Sequence, residues 1–176
     1  MASINIEIKA RTDRHEEISV ILKSKNADFK GVDNQIDTYF KVGSGRLKLR
    51  EGNIENQLIY YKRENTENPK QSDVLLFKTD PGSSLKEILK QSLGILVVVE
   101  KKREIYFIDN VKFHLDYIER LGTFVEIEAI DTDGTIGKEK LSDQCNYYLD
   151  LLQIPHEDLV PDSYSDLLIK MSIGNE

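Results

Sequence analysis

Apolar and polar residues alternate strongly, with the two-residue period of a β-strand, in several of eight β-like stretches at roughly residues 3–11, 35–42, 45–51, 57–64, 73–79, 95–108, 111–118 and 123–130. Val42-Gly43-Ser44-Gly45 and Asp109-Asn110 fall between consecutive stretches and predict tight hairpin connections. Glu64 to Ser72 is polar, carries Pro69 and predicts a mobile loop. Four segments keep the helical period instead. Asp13 to Lys25 opens with a capping-box pattern, Asp13-x-x-Glu16, and puts Ile18, Ile21 and Leu22 on one face. Ser84 to Ser92 opens with Ser84-x-x-Glu87 and is expected to bury Leu85, Ile88 and Leu89. Residues 136–153 place Leu141, Cys145, Tyr148, Leu149 and Leu152 on one stripe, and a last helix at about 162–171 follows Pro161.

The element order is therefore β-α-ββββ-α-βββ-α-α. Strands come in runs rather than alternating with helices, which predicts an antiparallel α+β domain. Eight antiparallel strands can close into a barrel with a small interior, with the helices packed outside. The chain is 176 residues long, which suits one domain spanning 1–176 with a single sizeable core.

Composition narrows the function classes. With 39% hydrophobic and 31% charged residues the chain reads as a soluble globular protein. Its one cysteine, Cys145, excludes an internal disulfide and a cysteine-based zinc site. No secretory signal and no membrane-length apolar run is visible, so a cytoplasmic protein without membrane association is expected. A net charge of −7 argues against a nucleic-acid partner. It leaves room for a phosphate ligand, because a site depends on where the basic residues collect.

They collect on strand faces. Asn5, Glu7, Lys9 and Arg11 share one face of the first strand, and Arg46, Lys48 and Arg50 one face of the third. Lys62 ends the fourth. Lys101 and Arg103 share a face of the sixth, Lys112, His114 and Asp116 of the seventh, and Glu126 and Glu128 of the eighth. A solvated outer face would account for any one strand. Repeated across the sheet, the pattern is that of a charged barrel interior, and burying so many ions calls for a strongly ionic ligand and metal to balance them. A triphosphate with Mg²⁺ or Mn²⁺ is such a ligand: Lys and Arg would hold phosphate oxygens, Asp and Glu the hard cation. No Walker loop, G-x-G-x-x-G turn or Ser-His-Asp arrangement is present.

Asn5-Ile6-Glu7-Ile8-Lys9 resembles the N-terminal E-x-E-x-K signature of the CYTH superfamily, the triphosphate tunnel metalloenzymes named for class IV adenylyl cyclases and thiamine triphosphatases. Glu100-Lys101-Lys102-Arg103 resembles its E-K-x-R strand, and Leu121-Gly122-Thr123-Phe124-Val125-Glu126-Ile127-Glu128 its G-x-F-x-E-I-E segment. Gly45 to Glu51 and Leu58 to Lys62 are similar to the basic strands between. Pro161-Asp162-Ser163-Tyr164-Ser165-Asp166-Leu167-Leu168 resembles the P-x-S-Y-x-x-L-L segment of class IV cyclases.

The resemblance implies an eight-stranded triphosphate tunnel. It implies metal at Glu7, Glu126 and Glu128, and triphosphate at Lys9, Arg50, Lys62, Lys101 and Arg103, with Arg46 and Lys48 further along. Catalysis would centre on Glu7, Lys9 and Glu126, with Asn5, Asp116 and His114 as additional candidates. The signature's first Glu is Asn5 here, an amide that offers a metal an oxygen without a charge. The activity implied is a class IV-like adenylyl cyclase making cyclic AMP and pyrophosphate from ATP. The alternatives are a hydrolase of thiamine triphosphate or inorganic tripolyphosphate, and a non-catalytic triphosphate-binding protein. A homodimer is implied as well.

Overall fold

A computed structural model describes residues 3–63 and 70–173. Its elements in chain order are β1 (Ser3–Arg11), α1 (His15–Ser24), β2 (Asp28–Phe40), β3 (Arg46–Glu51), β4 (Asn56–Arg63), β5 (Lys70–Lys78), α2 (Leu85–Leu93), β6 (Ile95–Ile108), β7 (Val111–Ile118), β8 (Gly122–Asp131), α3 (Lys138–Leu151), a 3₁₀ turn (His156–Asp158) and α4 (Tyr164–Ile173). All eight strands pair antiparallel and close on themselves in the order β1-β5-β4-β3-β2-β6-β7-β8. Closure leaves no exposed sheet edge, and eight strands leave an interior about wide enough for side chains and one small ligand.

The alternation divides each strand between two environments. On β1, β7 and β8 the outward set is apolar, including Ile6, Ile8, Phe113, Leu115, Val125 and Ile127. It packs under Ile18 and Leu22 of α1 and Leu141, Cys145 and Leu149 of α3, and this is the main core. The Cys145 thiol is buried there and donates to the Ile6 carbonyl. The inward set of the same strands is ionic. Core and site therefore lie back to back across one sheet, and each strand's parity is fixed by the helices it must support.

Four local expectations differ from the structure. Strand β2 begins at Asp28, seven residues before the alternation predicted, and runs over a register shift between Phe29 and Gly31 where it pairs with β6. Gly31 has φ +120° there, open to glycine and strained for other residues. Neither capping-box pattern forms a side-chain cap. The first residue ahead of α1 is Arg14, whose backbone N–H donates to Thr12 Oγ1, and Ser84 ahead of α2 makes no cap bond. Helix α2 buries none of its residues, and Ile88 is 58% exposed. Of Glu64 to Ser72, expected as one loop, Lys70 to Ser72 belong to β5, and residues 64–69 lie outside the described residues. No helix among the described residues is long and apolar enough to cross a membrane.

Candidate active site

The barrel surrounds a cavity of about 290 Å³ lined by charged side chains of five strands. Its basic side is organised by a residue on β2. Asp37 lies between β3 on one edge and β6 on the other. Its carboxylate accepts hydrogen bonds from Lys48 Nζ (2.8 Å), Arg50 Nε and Nη2 (both 2.9 Å) and Lys101 Nζ (2.9 Å). Although burial opposes ionisation, Arg50, Lys101 and Lys48 together hold the Asp37 carboxyl well below the usual range. The Asp37 carboxylate is shared among three cations, of which Arg50 also bonds Glu55. The crowding of cations tells on Lys101, whose ammonium is pushed well below its ordinary pKa by burial and by Arg103, with Arg50 and Lys48 adding to it. A buried lysine under that pressure is a seat for added negative charge.

Next to it on β6, Arg103 donates to both Asp116 oxygens (2.6 Å each) and to Glu126 Oε2 (2.9 Å). Against the cost of burial, those carboxylates keep the guanidinium firmly charged. The rim on this side is closed by the β3–β4 hairpin. Asp33, fully buried, accepts the backbone N–H groups of Ile54 and Glu55 (2.9 Å each). Gly52 makes that approach feasible, because a Cβ there would sit 2.5 Å from the Asp33 carboxylate. The folded loop aims Glu55 inward, where Arg50, Gln35 and Lys112 donate to it.

The acidic side is built by β1 and β8, which place Glu7 opposite Glu128 and Lys9 opposite Glu126. Glu126 faces two cations, Arg103 at 2.9 Å and Lys9 at 3.5 Å, and the His114 ring at 3.0 Å. His114 is driven down to about 3 by burial and by Arg103. It is thus neutral, with Nδ1–H donating to Glu126, and its Nε2 is a buried acceptor with no partner among the described residues. Glu128 is in the opposite situation. Burial raises its pKa and Glu7 adds to the shift, opposed by Lys112 and by the Asn5 amide, which donates to Glu128 Oε1 at 2.6 Å. The other atom of that amide, Asn5 Oδ1, is buried without a partner among the described residues. Two facing carboxylates and the Asn5 amide oxygen form an all-oxygen donor set, which suits a hard divalent cation. His114, Asp116 and Glu126 also bring one ligand atom each within 4.8 Å of one another, but Arg103 bonds two of the three.

The far end of the lumen is stopped. Tyr39, Val99, Ile118 and Phe124 pack with Tyr164 and Leu168 of α4. The Tyr164 hydroxyl donates to Asp116 at 2.8 Å, and Lys9 lies 4.1 Å above the Tyr164 ring while donating to the Asp162 carbonyl. Arg46 pairs with Asp166 at 2.6 Å.

Of the residues singled out from sequence, Asn5, Glu7, Lys9, Lys48, Arg50, Lys101, Arg103, His114, Glu126 and Glu128 come together on this one cavity. Asp116 sits behind Arg103, and Arg46 lies at the α4 stopper. Lys62 is a correction. It is exposed on the outside of β4, across from Asp73 of β5, because Ile59 and Tyr61 take the inward positions of that strand. Asp33, Gln35, Asp37 and Glu55 are additional to that set. The contrast gives a prediction: Lys101→Ala weakens tripolyphosphate binding by roughly 10- to 100-fold, the scale of a lost charge-assisted contact, while Lys62→Ala leaves it within a factor of two. Titration calorimetry of both variants checks it, and equal losses would contradict the inward assignment of Lys101 and the outward one of Lys62.

The CYTH domain family matches residues 3–164, nearly the whole chain. The chain belongs to the CYTH family. Among its relatives is protein MJ0240 of Methanocaldococcus jannaschii, named as a candidate adenylate cyclase, 26% identical over 93% of this chain and 98% of that protein. The PH1012 protein of Pyrococcus horikoshii superposes with a TM-score of 0.78 at 27% identity, over 93% of this chain and 98% of the other. The candidate adenylyl cyclase HpAC1 from Hippeastrum, described as having a dominant triphosphatase activity, shares the fold at 16% identity with a TM-score of 0.62, over 98% and 96% of the two chains. The CYTH family match spans all eight strands of the closed sheet.

Proposed function

We propose that this CYTH protein is a divalent-metal-dependent adenylyl cyclase that converts ATP to cyclic AMP and pyrophosphate, with the whole chain acting as one domain. One observation carries the reading: a single cavity gathers the buried cations of β3 and β6 on one side and the oxygen donors Asn5, Glu7 and Glu128 of β1 and β8 on another. The near full-length similarity to a protein named as a candidate adenylate cyclase supports it.

On this reading Lys48, Arg50 and Lys101 hold the β- and γ-phosphate oxygens, displacing part of their bond to Asp37. Arg103, fixed by Asp116 and Glu126, presents its charge without reorganisation as the pyrophosphate leaves. Asn5, Glu7 and Glu128, with Glu126 beside them, would hold Mg²⁺ or Mn²⁺, which would supply Lewis-acid charge and lower the pKa of a bound hydroxyl. The His114 Nε2 acceptor is available to orient a substrate hydroxyl. The ribose 3′-oxygen then displaces pyrophosphate from the α-phosphorus, forming one P–O bond as another breaks, and the hydroxyl proton leaves with the released pyrophosphate. The α4 stopper and the Glu55 loop keep water from the same phosphorus.

The test is product analysis. Purified protein with Mn²⁺ or Mg²⁺ is given ATP, thiamine triphosphate or tripolyphosphate in separate reactions. Cyclic AMP and pyrophosphate in equal amounts are expected from ATP. Orthophosphate without cyclic product would replace the cyclase by a hydrolase, and binding without turnover would replace both by a phosphate-binding protein.

A further inference from the structure

Among the described side chains, one stretch of the lumen wall is neutral. Strands β1, β2, β3, β6, β7 and β8 each turn ionisable groups inward. Among the described side chains, the adjacent strands β4 and β5 line the cavity without a carboxylate, ammonium or guanidinium: they present Gln57, Ile59, Tyr61, Ser72, Val74 and Leu76. Ile59, Tyr61 and Val74 are buried and form an apolar cluster of their own, separate from the core under α1 and α3 and from the α4 stopper.

An apolar strip facing an ionic cavity is poorly matched to water, at roughly 25 cal/mol for each Å² left wet. A ligand made only of phosphates would leave it wet. The register gives the strip a size: Ile59 is opposite Leu76 and Tyr61 opposite Val74. Neighbouring strands are about 4.8 Å apart and same-face residues about 6.7 Å apart, so the four side chains cover a face of about 5 by 7 Å, the footprint of a fused heteroaromatic ring. Gln57 and Ser72 supply neutral hydrogen-bonding groups at its edges. The strip also adjoins the phosphate side, because Lys48 pairs with Ile59 and Arg50 with Gln57.

We infer that the inner face of β4 and β5 is the subsite for the aromatic head of the substrate, and that it makes this protein select nucleoside triphosphates over inorganic polyphosphate. Ile59, Val74 and Leu76 form the platform, and Gln57 and Ser72 read the edge of the base. The inference rests on the triphosphate reading of the cavity and not on which bond is broken.

Binding of ATP and of tripolyphosphate is measured by titration calorimetry with Mg²⁺ on the full chain. The variants are Ile59→Thr/Val74→Thr and, as a rim substitution that spares the buried cluster, Leu76→Thr, each checked for a cooperative thermal melt. ATP binding is expected to weaken at least 10-fold in the double variant and about 3-fold in Leu76→Thr, with tripolyphosphate unchanged within a factor of two in both. Equal losses for the two ligands, or none, would overturn the subsite. Should the double variant not fold, the Leu76→Thr ratio decides alone. A wild-type protein that prefers ATP, loses that preference in the variants and releases only orthophosphate would keep the subsite and remove the cyclase. A protein that makes cyclic AMP and is indifferent to these substitutions would do the reverse.

Discussion

Asp37→Ala is expected to lower the unfolding free energy of the ligand-free protein by about 3–5 kcal/mol, the scale for removing one partner of a buried ionic network. Its carboxylate is the shared acceptor of Lys48, Arg50 and Lys101, which are held within one wall of the barrel by β3 and β6. Without it, three cations face one another across a low-dielectric space. The same substitution removes the internal anion that competes with a triphosphate for those cations. Tripolyphosphate should therefore bind the variant more tightly than the wild type. At 100 times the dissociation constant a ligand adds about 2.7 kcal/mol of stability, so the deficit is largely recovered. Urea unfolding with and without tripolyphosphate measures both terms. A variant that is destabilised and gains no more from the anion than the wild type would show that Asp37 orders the cations without standing in for phosphate.

The charged interior was legible wherever a strand alternates between apolar and ionic residues, because the two-residue period separates the sets. That holds for Glu7 and Lys9 on β1, Lys48 and Arg50 on β3, and Glu126 and Glu128 on β8, all of which line the cavity. It fails on β4. The run Leu58-Ile59-Tyr60-Tyr61 is apolar on both faces, so parity is silent and Lys62, the first charge after it, falls on the wrong side. The ambiguity has a cause in the molecule, since this strand carries the neutral wall of the lumen. On β2 the spacing Asp33-x-Gln35-x-Asp37 did carry the signal. It was lost because the bulge at Gly31 and the polar residues before it disguise the first half of the strand. Glu55 lies beyond any periodicity argument: a loop residue reaches the site only through the Asp33 bonds that fold the hairpin. The helix caps failed for another reason. Capping patterns describe a locally possible hydrogen bond, whereas Arg14, at the N-cap of α1, is engaged by Gln153 and Glu17.

Glu128→Gln is expected to reduce metal-dependent turnover at least about 100-fold, equivalent to about 2.7 kcal/mol of transition-state stabilisation, while making the metal-free protein more stable at neutral pH. The two effects have one origin. Burial, with Glu7 beside it, raises the folded-state pKa of Glu128 above its unfolded value. Folding therefore favours the protonated carboxyl. That contribution is fully present below the unfolded pKa and is lost as pH rises through the folded one. Above the folded-state pKa the metal-free protein holds an ionised carboxylate opposite Glu7 that it would hold more comfortably as an acid. The amide introduced by the substitution would keep an oxygen for the Asn5 N–H and remove the charge. A divalent cation at Asn5, Glu7 and Glu128 reverses the preference, because it needs the ionised form; its stabilising effect on the wild type should grow as pH rises through the Glu128 pKa. Melting curves across pH, with and without Mg²⁺, separate the cases for wild type and Glu128→Gln. The variant should be flat in pH over that window and insensitive to Mg²⁺. A variant that keeps both the Mg²⁺-induced shift and full turnover would place the cation elsewhere, and the trio of His114, Asp116 and Glu126 would then have to release Arg103 to receive it.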